Sequence, residues 1–321
     1  RRHKVAGVLT VASERAVPVV AAVAERLGLP SIGTEVAHRM TNKRAMRQAL
    51  ADAGVPQPRF APVSDLGDAR DALAEIGTPA VLKPADSSGQ RGVSRVDTEA
   101  DLAAALDAAL DASPTGEALL EELVAGVELN TMLVALRGEP VLLTLSDRLR
   151  PPGAGFGVAL AHVYPSSLDG DGLAAAERVA ADAVRALGLV DSIAYPQLIV
   201  DANGRVVVVE VAARIPGGQM GELVRIATGV DLVEIAVRQA LGEDVSEVLA
   251  RRTPPQPLAI RFLTSGPGPL HAGLVTRVGS LDAVLAAAGV VQAETYLQPG
   301  EMVRPARVDG DRRGYVIAIA D

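Results

Sequence analysis

Two lysines stand out because the chain holds so few. Of its 31 basic residues only Lys4, Lys43 and Lys83 are lysine, so an interior lysine points to a need for a compact ammonium rather than a planar guanidinium fork. Lys43 opens a helix-like stretch and Lys83 ends a strand-like one. Lys83 runs into Asp86-Ser87-Ser88-Gly89-Gln90-Arg91-Gly92-Val93. The Ser87-Ser88-Gly89 turn is small enough for its backbone N–H groups to close over phosphate oxygens, and two ammonium groups beside it can hold a polyphosphate. Glu121-Glu122-Leu123-Val124 ends another strand, where a carboxylate followed by a backbone carbonyl and N–H can read an adenine edge. Glu128, a short turn later, can accept hydrogen bonds from both hydroxyls of a ribose.

Gln197 and Glu210 flank the turn Asn203-Gly204. A simple antiparallel pairing about that turn joins positions whose numbers sum to about 407, which sets Gln197 opposite Glu210. Directly opposed side chains share a face, with Cβ atoms about 4.5–5.5 Å apart. Two oxygen-bearing side chains at that spacing suit Mg²⁺, which shares its oxygen ligands with substrate phosphates. Arg214, Gly217 and Gly218 follow. Taken singly, Lys43 and Glu128 read better as solvated faces than as ligand contacts, and Ser87–Gly92 reads equally well as an ordinary turn. The order and spacing of the whole set carry the specificity.

Composition narrows the alternatives. With 321 residues and 49% apolar content, a sizeable core can form. Aromatics make up 2%, Trp is absent and the net charge is −8, against stacked-base or phosphate-backbone binding of nucleic acid. Without Cys there is no disulfide framework or thiol nucleophile. No apolar run reaches the roughly 18–20 residues of a membrane span and no signal-peptide pattern opens the chain, so a soluble, cytoplasmic protein is expected. Walker, dinucleotide-fingerprint, nucleophile-elbow and H-E-x-x-H motifs are all missing. The four histidines lack ligand spacing, and Gly153-x-Gly155-x-Gly157 reads as a mobile loop within Leu149–Gly157.

The elements that must position these residues alternate. Val5–Val11 reads as a buried strand, Arg15–Leu27 as a helix stopped by Gly28, Leu29–Gly33 as a short strand, and Thr41–Ala53 as a helix with Thr41 as N-cap. That alternation predicts a parallel, doubly wound first part. Ala80–Pro84 and Val93–Val96 read as strands, Glu99–Ala112 as a helix, and Ala118–Leu123, Glu128–Leu136 and Val141–Ser146 as strands. Gly172–Leu187 then forms a helix, Ser192–Val200 and Arg205–Val211 a hairpin, and Gly221–Ile226 and Leu232–Leu241 helices. Three Pro within Thr253–Pro257 mark a subdomain boundary. Both ends read as cut from something longer.

This set of residues resembles the ATP-grasp superfamily of carboxylate–amine ligases, over essentially the whole chain. Thr41-Asn42-Lys43-Arg44-Ala45-Met46, Lys83-Pro84 with Ser87–Val93, Glu210–Gly218 and the ending Gly314-Tyr315-Val316-Ile317-Ala318 look like its L-amino acid ligase branch. The resemblance implies a mixed α+β and α/β fold: two α+β subdomains clamping ATP, preceded by a truncated Rossmann-like domain. Its domains would be 1–38, the ATP-grasp core 39–252 with a lid subdomain about 56–123, and a C-terminal α+β subdomain 253–321. It implies that Lys43 and Lys83 hold the phosphates of ATP and that Ser87, Ser88 and Gly89 form the lid. Glu121 and the backbone of Val124 would read adenine, and Glu128 the ribose. Gln197 and Glu210 would bind one or two Mg²⁺, with Mn²⁺ as an alternative ion. Arg214 would stand beside the γ-phosphate and the acyl-phosphate, with Gly217 and Gly218 in the substrate loop.

The implied reaction joins a carboxylate and an amine, with amino acids as the expected substrates. It forms an amide or dipeptide through an acyl-phosphate, releasing ADP and phosphate from a homodimeric enzyme. Two departures from the family pattern are visible: Gln197 replaces a common carboxylate, and Ala212 stands where many members carry an Asn ligand. A carboxylating or carbamoylating enzyme using carboxyphosphate is one alternative, although the lid lacks the run of glycines of biotin-carboxylase-type relatives. A nucleotide-binding module without turnover is the other.

Overall fold

The computed structural model describes residues 4–150 and 158–320; the expected glycine-rich loop lies mostly outside them. Three helices lead the chain: α1 (Val17–Leu27), α2 (Thr34–Thr41) and α3 (Lys43–Asp52). Gly28, in the left-handed conformation, stops α1 as expected. The N-cap of α3 is Asn42, whose side chain accepts from the Ala45 N–H at 3.0 Å, while Thr41 instead closes α2. Asn outcompetes Thr here because the chain turns at Asn42, which adopts the extended conformation an N-cap requires. Residues 4–10 form no strand. They lie exposed or half-buried, and the one parallel bridge beside them is Val11 to Ile215. Leu29–Gly33 likewise forms no strand. An apolar run becomes a strand only where neighbours complete its ladder, and the described residues offer it a single bridge. The parallel first part is therefore absent from the described residues, whose strand ladders are antiparallel.

A four-stranded sheet follows, built from β1 (Phe60–Val63), β2 (Ala80–Pro84), β3 (Ser94–Val96) and β4 (Ala118–Glu122) in the order β1-β4-β2-β3. Two helices, α4 (Leu66–Ile76) and α5 (Leu102–Ala112), pack on it. They bury Ala69, Leu73, Leu102, Ala105, Leu106 and Ala109 against Leu82, Val96 and Leu120. Strand β1 and helix α4 were not legible in the pattern.

The second sheet has eight strands. Its members are β5 (Val127–Leu136), β6 (Glu139–Leu149), β7 (Ala161–Tyr164), β8 (Ser192–Val200), β9 (Val206–Ala212), β10 (Leu258–Phe262), β12 (Val290–Thr295) and β14 (Gly314–Ile319), in the order β12-β14-β10-β7-β6-β5-β8-β9. Strands from beyond the triple-Pro segment thus continue the sheet that carries the hairpin. One face packs on α6 (Gly170–Leu187) through Leu129, Leu133, Leu198 and Ala180. The other packs on α7 (Met220–Thr228) and α8 (Leu232–Ala240) through Met132, Tyr195, Leu223 and Ile235. Short elements complete the fold: α9 (Ser246–Ala250), α10 (Asp282–Leu285) and the pair β11 (Gly273–Leu274) and β13 (Met302–Val303).

The β8–β9 hairpin departs from the simple expectation in an informative way. Its connection spans residues 201–205, with the Asp201 carboxylate accepting from the N–H groups of Asn203 and Arg205, rather than a two-residue Asn203-Gly204 turn. Near that turn the register is Val200 to Val206 and Leu198 to Val208. A β-bulge follows, and beyond it Gln197 faces Glu210. Val209 is the extra residue. Val206 and Val208 lie in the core beneath α6, so unbroken alternation would send Glu210 to that same buried face. The bulge reverses the phase and turns Glu210 to the face of Gln197 and Tyr195.

Candidate active site

The expected phosphate and metal residues converge where the two sheets meet. Lys43, the first residue of α3, is 9% exposed. Its Nζ donates to the Ser87 carbonyl at 2.8 Å and lies 3.1 Å from the Glu210 carboxylate. One ammonium therefore ties the lid turn to the proposed metal strand. Its backbone N–H donates to the Ala85 carbonyl, which fixes α3 against the end of β2.

Lys83 and Glu121 are diagonal neighbours across the β2–β4 ladder, where Lys83 pairs with Leu119 and Glu121 with Val81. The Lys83 Nζ is 2.8 Å from Glu121 Oε2, and Arg47 takes the same carboxylate in two hydrogen bonds of 2.9 and 3.1 Å. One buried carboxylate thus serves two cations. Burial works to raise the Glu121 carboxyl, but Arg47 and Lys83 outweigh it and hold it at about 2. Burial, partly offset by Glu121 and reinforced by Arg47 and Lys43, pushes Lys83 down to about 8. Lys43 moves the other way: burial opposes its charge, yet Glu210 and Glu14 lift it above the ordinary lysine value.

The lid turn between β2 and β3 contains three consecutive or near-consecutive left-handed positions, Gly89, Gln90 and Gly92. Asp86 pins its start by accepting from Ser113 Oγ at 2.6 Å and from the Thr115 N–H. Ser88 Oγ lies 3.5 Å from Arg91, a marginal contact. Gly92 is required by packing: a Cβ there would lie 2.6 Å from the Ala108 carbonyl oxygen and from the Ala112 Cβ. Val124 belongs to the non-strand segment leaving β4. At its far end Gly126 passes so close to β8 that a Cβ would lie 2.0 Å from the Val200 oxygen. Glu128, the second residue of β5, is held by Arg148 at 2.6 Å and Arg150 at 2.5 Å.

Arg214 follows β9. Its Nη2 lies 2.9 Å from Glu14, which arrives from the N-terminal segment. Burial and the nearby Glu210 raise the Glu14 carboxyl above its ordinary value. Gly218, left-handed at φ 68°, lies against Arg312, His162 and Phe262. His162 is fully buried with Nδ1 2.8 Å from the Asn130 amide, which also receives the Tyr195 hydroxyl at 2.5 Å. Burial holds His162 well below its ordinary value, so it is neutral at pH 7. Arg312 lies over the Phe262 ring, 3.9 Å from its centroid.

Sequence reasoning missed Glu14, Arg47, Arg312 and the His162–Asn130–Tyr195 chain. Arg47 had a signal: with Lys43, Met46 and Leu50 it falls on one helical face, and all four are buried. Glu14, Arg312 and His162 reach the site through tertiary packing, for which no local pattern exists.

The donor set fits an anionic ligand. Ser87 Oγ and Arg214 Nε are buried with no hydrogen-bond partner among the described residues, and such groups are costly unless something accepts from them. No group of three or more His, Cys, Asp or Glu side chains suited to a metal occurs among the described residues. Gln197 and Glu210 therefore suit a cation that draws its other ligands from phosphate and water.

Comparison with known proteins identifies the fold. Residues 42–248 match the family model described as carbamoyl-phosphate synthase L chain, ATP binding domain. The chain belongs to the ATP-grasp family. Residues 262–321 of this ATP-grasp chain match a second model, L-amino acid ligase C-terminal domain 2. A Sinorhizobium fredii protein called uncharacterized protein y4rH is 30% identical over 98% of the chain and 64% of its own length. Alanine–anticapsin ligase of Bacillus subtilis is 27% identical over 72% of the chain and 53% of its own length. The chain thus spans about half to two thirds of the curated relatives it matches. Among solved structures, an L-amino acid ligase from Bacillus licheniformis superposes with a TM-score of 0.85 at 23% identity, covering 99% of this chain and 76% of that one. The biotin carboxylase domain of Hydrogenobacter thermophilus 2-oxoglutarate carboxylase, solved with MgADP and bicarbonate, gives 0.73 at 21% identity, covering 94% and 67%. Both likenesses establish the shared ATP-grasp architecture.

Proposed function

We propose that this ATP-grasp chain is an ATP-dependent carboxylate–amine ligase acting on amino acids, forming an amide or dipeptide through an acyl-phosphate and releasing ADP and phosphate. The observation that carries this reading is Lys43, which joins the Ser87 turn to Glu210 and so unites phosphate-binding and metal-binding elements at one ammonium. The match of residues 262–321 to an L-amino acid ligase domain supports the amino-acid branch.

ATP bound with Mg²⁺ supplies an activated phosphoryl group to a substrate carboxylate. The chain's own residues bind and orient. Lys43 and Lys83 neutralise phosphate oxygens, and the backbone and hydroxyl of Ser87, with Ser88 and Gly89, cover them. Glu121, expected to read adenine, has its carboxylate taken up by Arg47 and Lys83 and so fixes Lys83 instead, while the backbone through Val124 offers a carbonyl and an N–H to adenine. Glu128 takes the ribose hydroxyls once its arginine pairs make room. Gln197 and Glu210 hold the metal, with Ala212 contributing no ligand. Arg214, its Nε unpaired, stabilises negative charge where the carboxylate reacts, and Gly217 and Gly218 let the substrate loop approach. Closure of the lid turn excludes water from the reacting groups.

The test is ADP release with Mg·ATP across amino acids and small acids, singly and in pairs. A signal that needs two particular substrates, with an amide product, supports the ligase. A signal with bicarbonate alone replaces it with a carboxylating enzyme, and ATP binding without turnover on any pair replaces it with a binding module.

A further inference from the structure

Arg47 is 1% exposed, and it reaches the nucleotide side of the site only through Glu121. Its guanidinium joins three elements. From α3 it donates Nε and Nη2 to the Glu121 carboxylate on β4, at 2.9 and 3.1 Å. In the other direction Nη1 and Nη2 donate to the carbonyls of Val208 and Val209 on β9, at 3.0 and 2.6 Å. A further long contact at 3.4 Å reaches Gln57, whose amide donates back to the Arg47 carbonyl.

The two carbonyls lie at the bulge. Regular strands send successive carbonyls to opposite sides, where neighbours accept them one by one. A bulge leaves an extra residue outside the ladder, so its carbonyl needs a partner from elsewhere. Arg47 supplies that partner for Val209 and takes Val208 as well. It is this bulge that turns Glu210 away from the core beneath α6 and opposite Gln197. On its other side, Arg47 fixes the carboxylate that orients the Lys83 ammonium.

We infer that Arg47 is a positioning residue that sets Glu210 and Lys83 relative to one another, by holding the β9 bulge with one edge of its guanidinium and Glu121 with the other. The inference rests on the nucleotide reading of the site for its functional consequence, but not for the structural one. Lysine cannot replace it, because a single ammonium cannot span a carboxylate on one strand and two carbonyls on another.

The experiment compares Arg47→Lys, Arg47→Met and Glu121→Gln with the parent chain in two measurements. The first is backbone hydrogen exchange over Val206–Ala212 without nucleotide. Both Arg47 variants should exchange at least about tenfold faster there, while Glu121→Gln, which leaves the carbonyl contacts in place, should change it little. The second is calorimetric binding of Mg·ATP. All three variants should bind at least about tenfold more weakly, with Arg47→Lys no better than partial rescue. Should Arg47→Met fail to fold, Arg47→Lys, equal in charge and similar in stem, carries the comparison. Folded Arg47 variants whose 206–212 amides exchange at the parent rate overturn the inference. A parent chain that does not bind Mg·ATP overturns the nucleotide reading instead, and the exchange data then still decide whether Arg47 holds the bulge.

Discussion

The Lys43 ammonium lies 3.1 Å from the Glu210 carboxylate, at the side chain that would ligate a cation. Burial disfavours charge on Glu210, yet Lys43 and Lys83 hold its carboxyl below the ordinary value. Removing Glu210 therefore takes away both the anionic metal ligand and the partner of Lys43. Glu210→Ala should reduce Mg²⁺-dependent ADP release by about a thousandfold or more, as expected when transition-state charge loses its stabilising ion. Retention of near-parent turnover would move the metal site elsewhere.

Lys83 gives a pH dependence with a definite sign. Its ammonium is held near a pKa of about 8 in the free protein, so it is charged below that pH and neutral above it. Only the charged form attracts phosphate. ATP affinity should be full at pH 7 and fall as pH rises through 8, by at most about tenfold per unit for one coupled proton. Bound phosphate favours the charged form and moves the limb upward in the complex. Lys83→Ala should bind ATP weakly at every pH and lose this limb. Dissociation constants measured from pH 6.5 to 9.5 on both chains check it, and a limb that survives in Lys83→Ala would assign it to another group.

Arg214 is already paired with Glu14 through Nη2, while its Nε is buried without a hydrogen-bond partner among the described residues. A lysine there keeps the charge but loses the second donor edge. Arg214→Lys should leave the ATP dissociation constant within about threefold and lower kcat about a hundredfold, the usual size for removing a donor aimed at developing charge. A loss confined to ATP affinity would place Arg214 in the nucleotide subsite alone.

The parts legible in the sequence were those with a local physical signature. Ser192–Val200 appears as β8 over the same residues, and the β-branched run Arg205–Val211 appears as β9 (Val206–Ala212). Gly28 marked the end of α1 because only glycine enters the left-handed cap without cost. The Gln197–Glu210 pairing was anticipated, but from a turn that does not form; a five-residue connection and the Val209 bulge compensate each other's shift. A bulge needs a stabilising partner from elsewhere in the chain, here Arg47, and single-strand periodicity holds no trace of it. The N-terminal apolar run misled for the same reason in reverse: its composition is that of a strand, but strand formation is decided by neighbours.

Gly89 and Gly92 separate two reasons for glycine in the lid. Both adopt left-handed conformations, at φ 68° and 70°. Around Gly89 a Cβ would meet nothing within 4 Å, whereas at Gly92 it would collide with the Ala108 carbonyl and the Ala112 side chain of α5. Gly89→Ala should therefore cost only the left-handed penalty, about 1–2 kcal/mol. Gly92→Ala adds overpacking of about 1–3 kcal/mol against a helix that can yield only by shifting. Because Gly92 leads into β3 and anchors the turn on α5, that shift should also carry Ser87 and Ser88 away from Lys43 and weaken Mg·ATP binding. Thermal melts and calorimetry on the two variants measure both effects. Equal losses from the two substitutions would mean that backbone conformation alone, and not the seat on α5, requires glycine at 92.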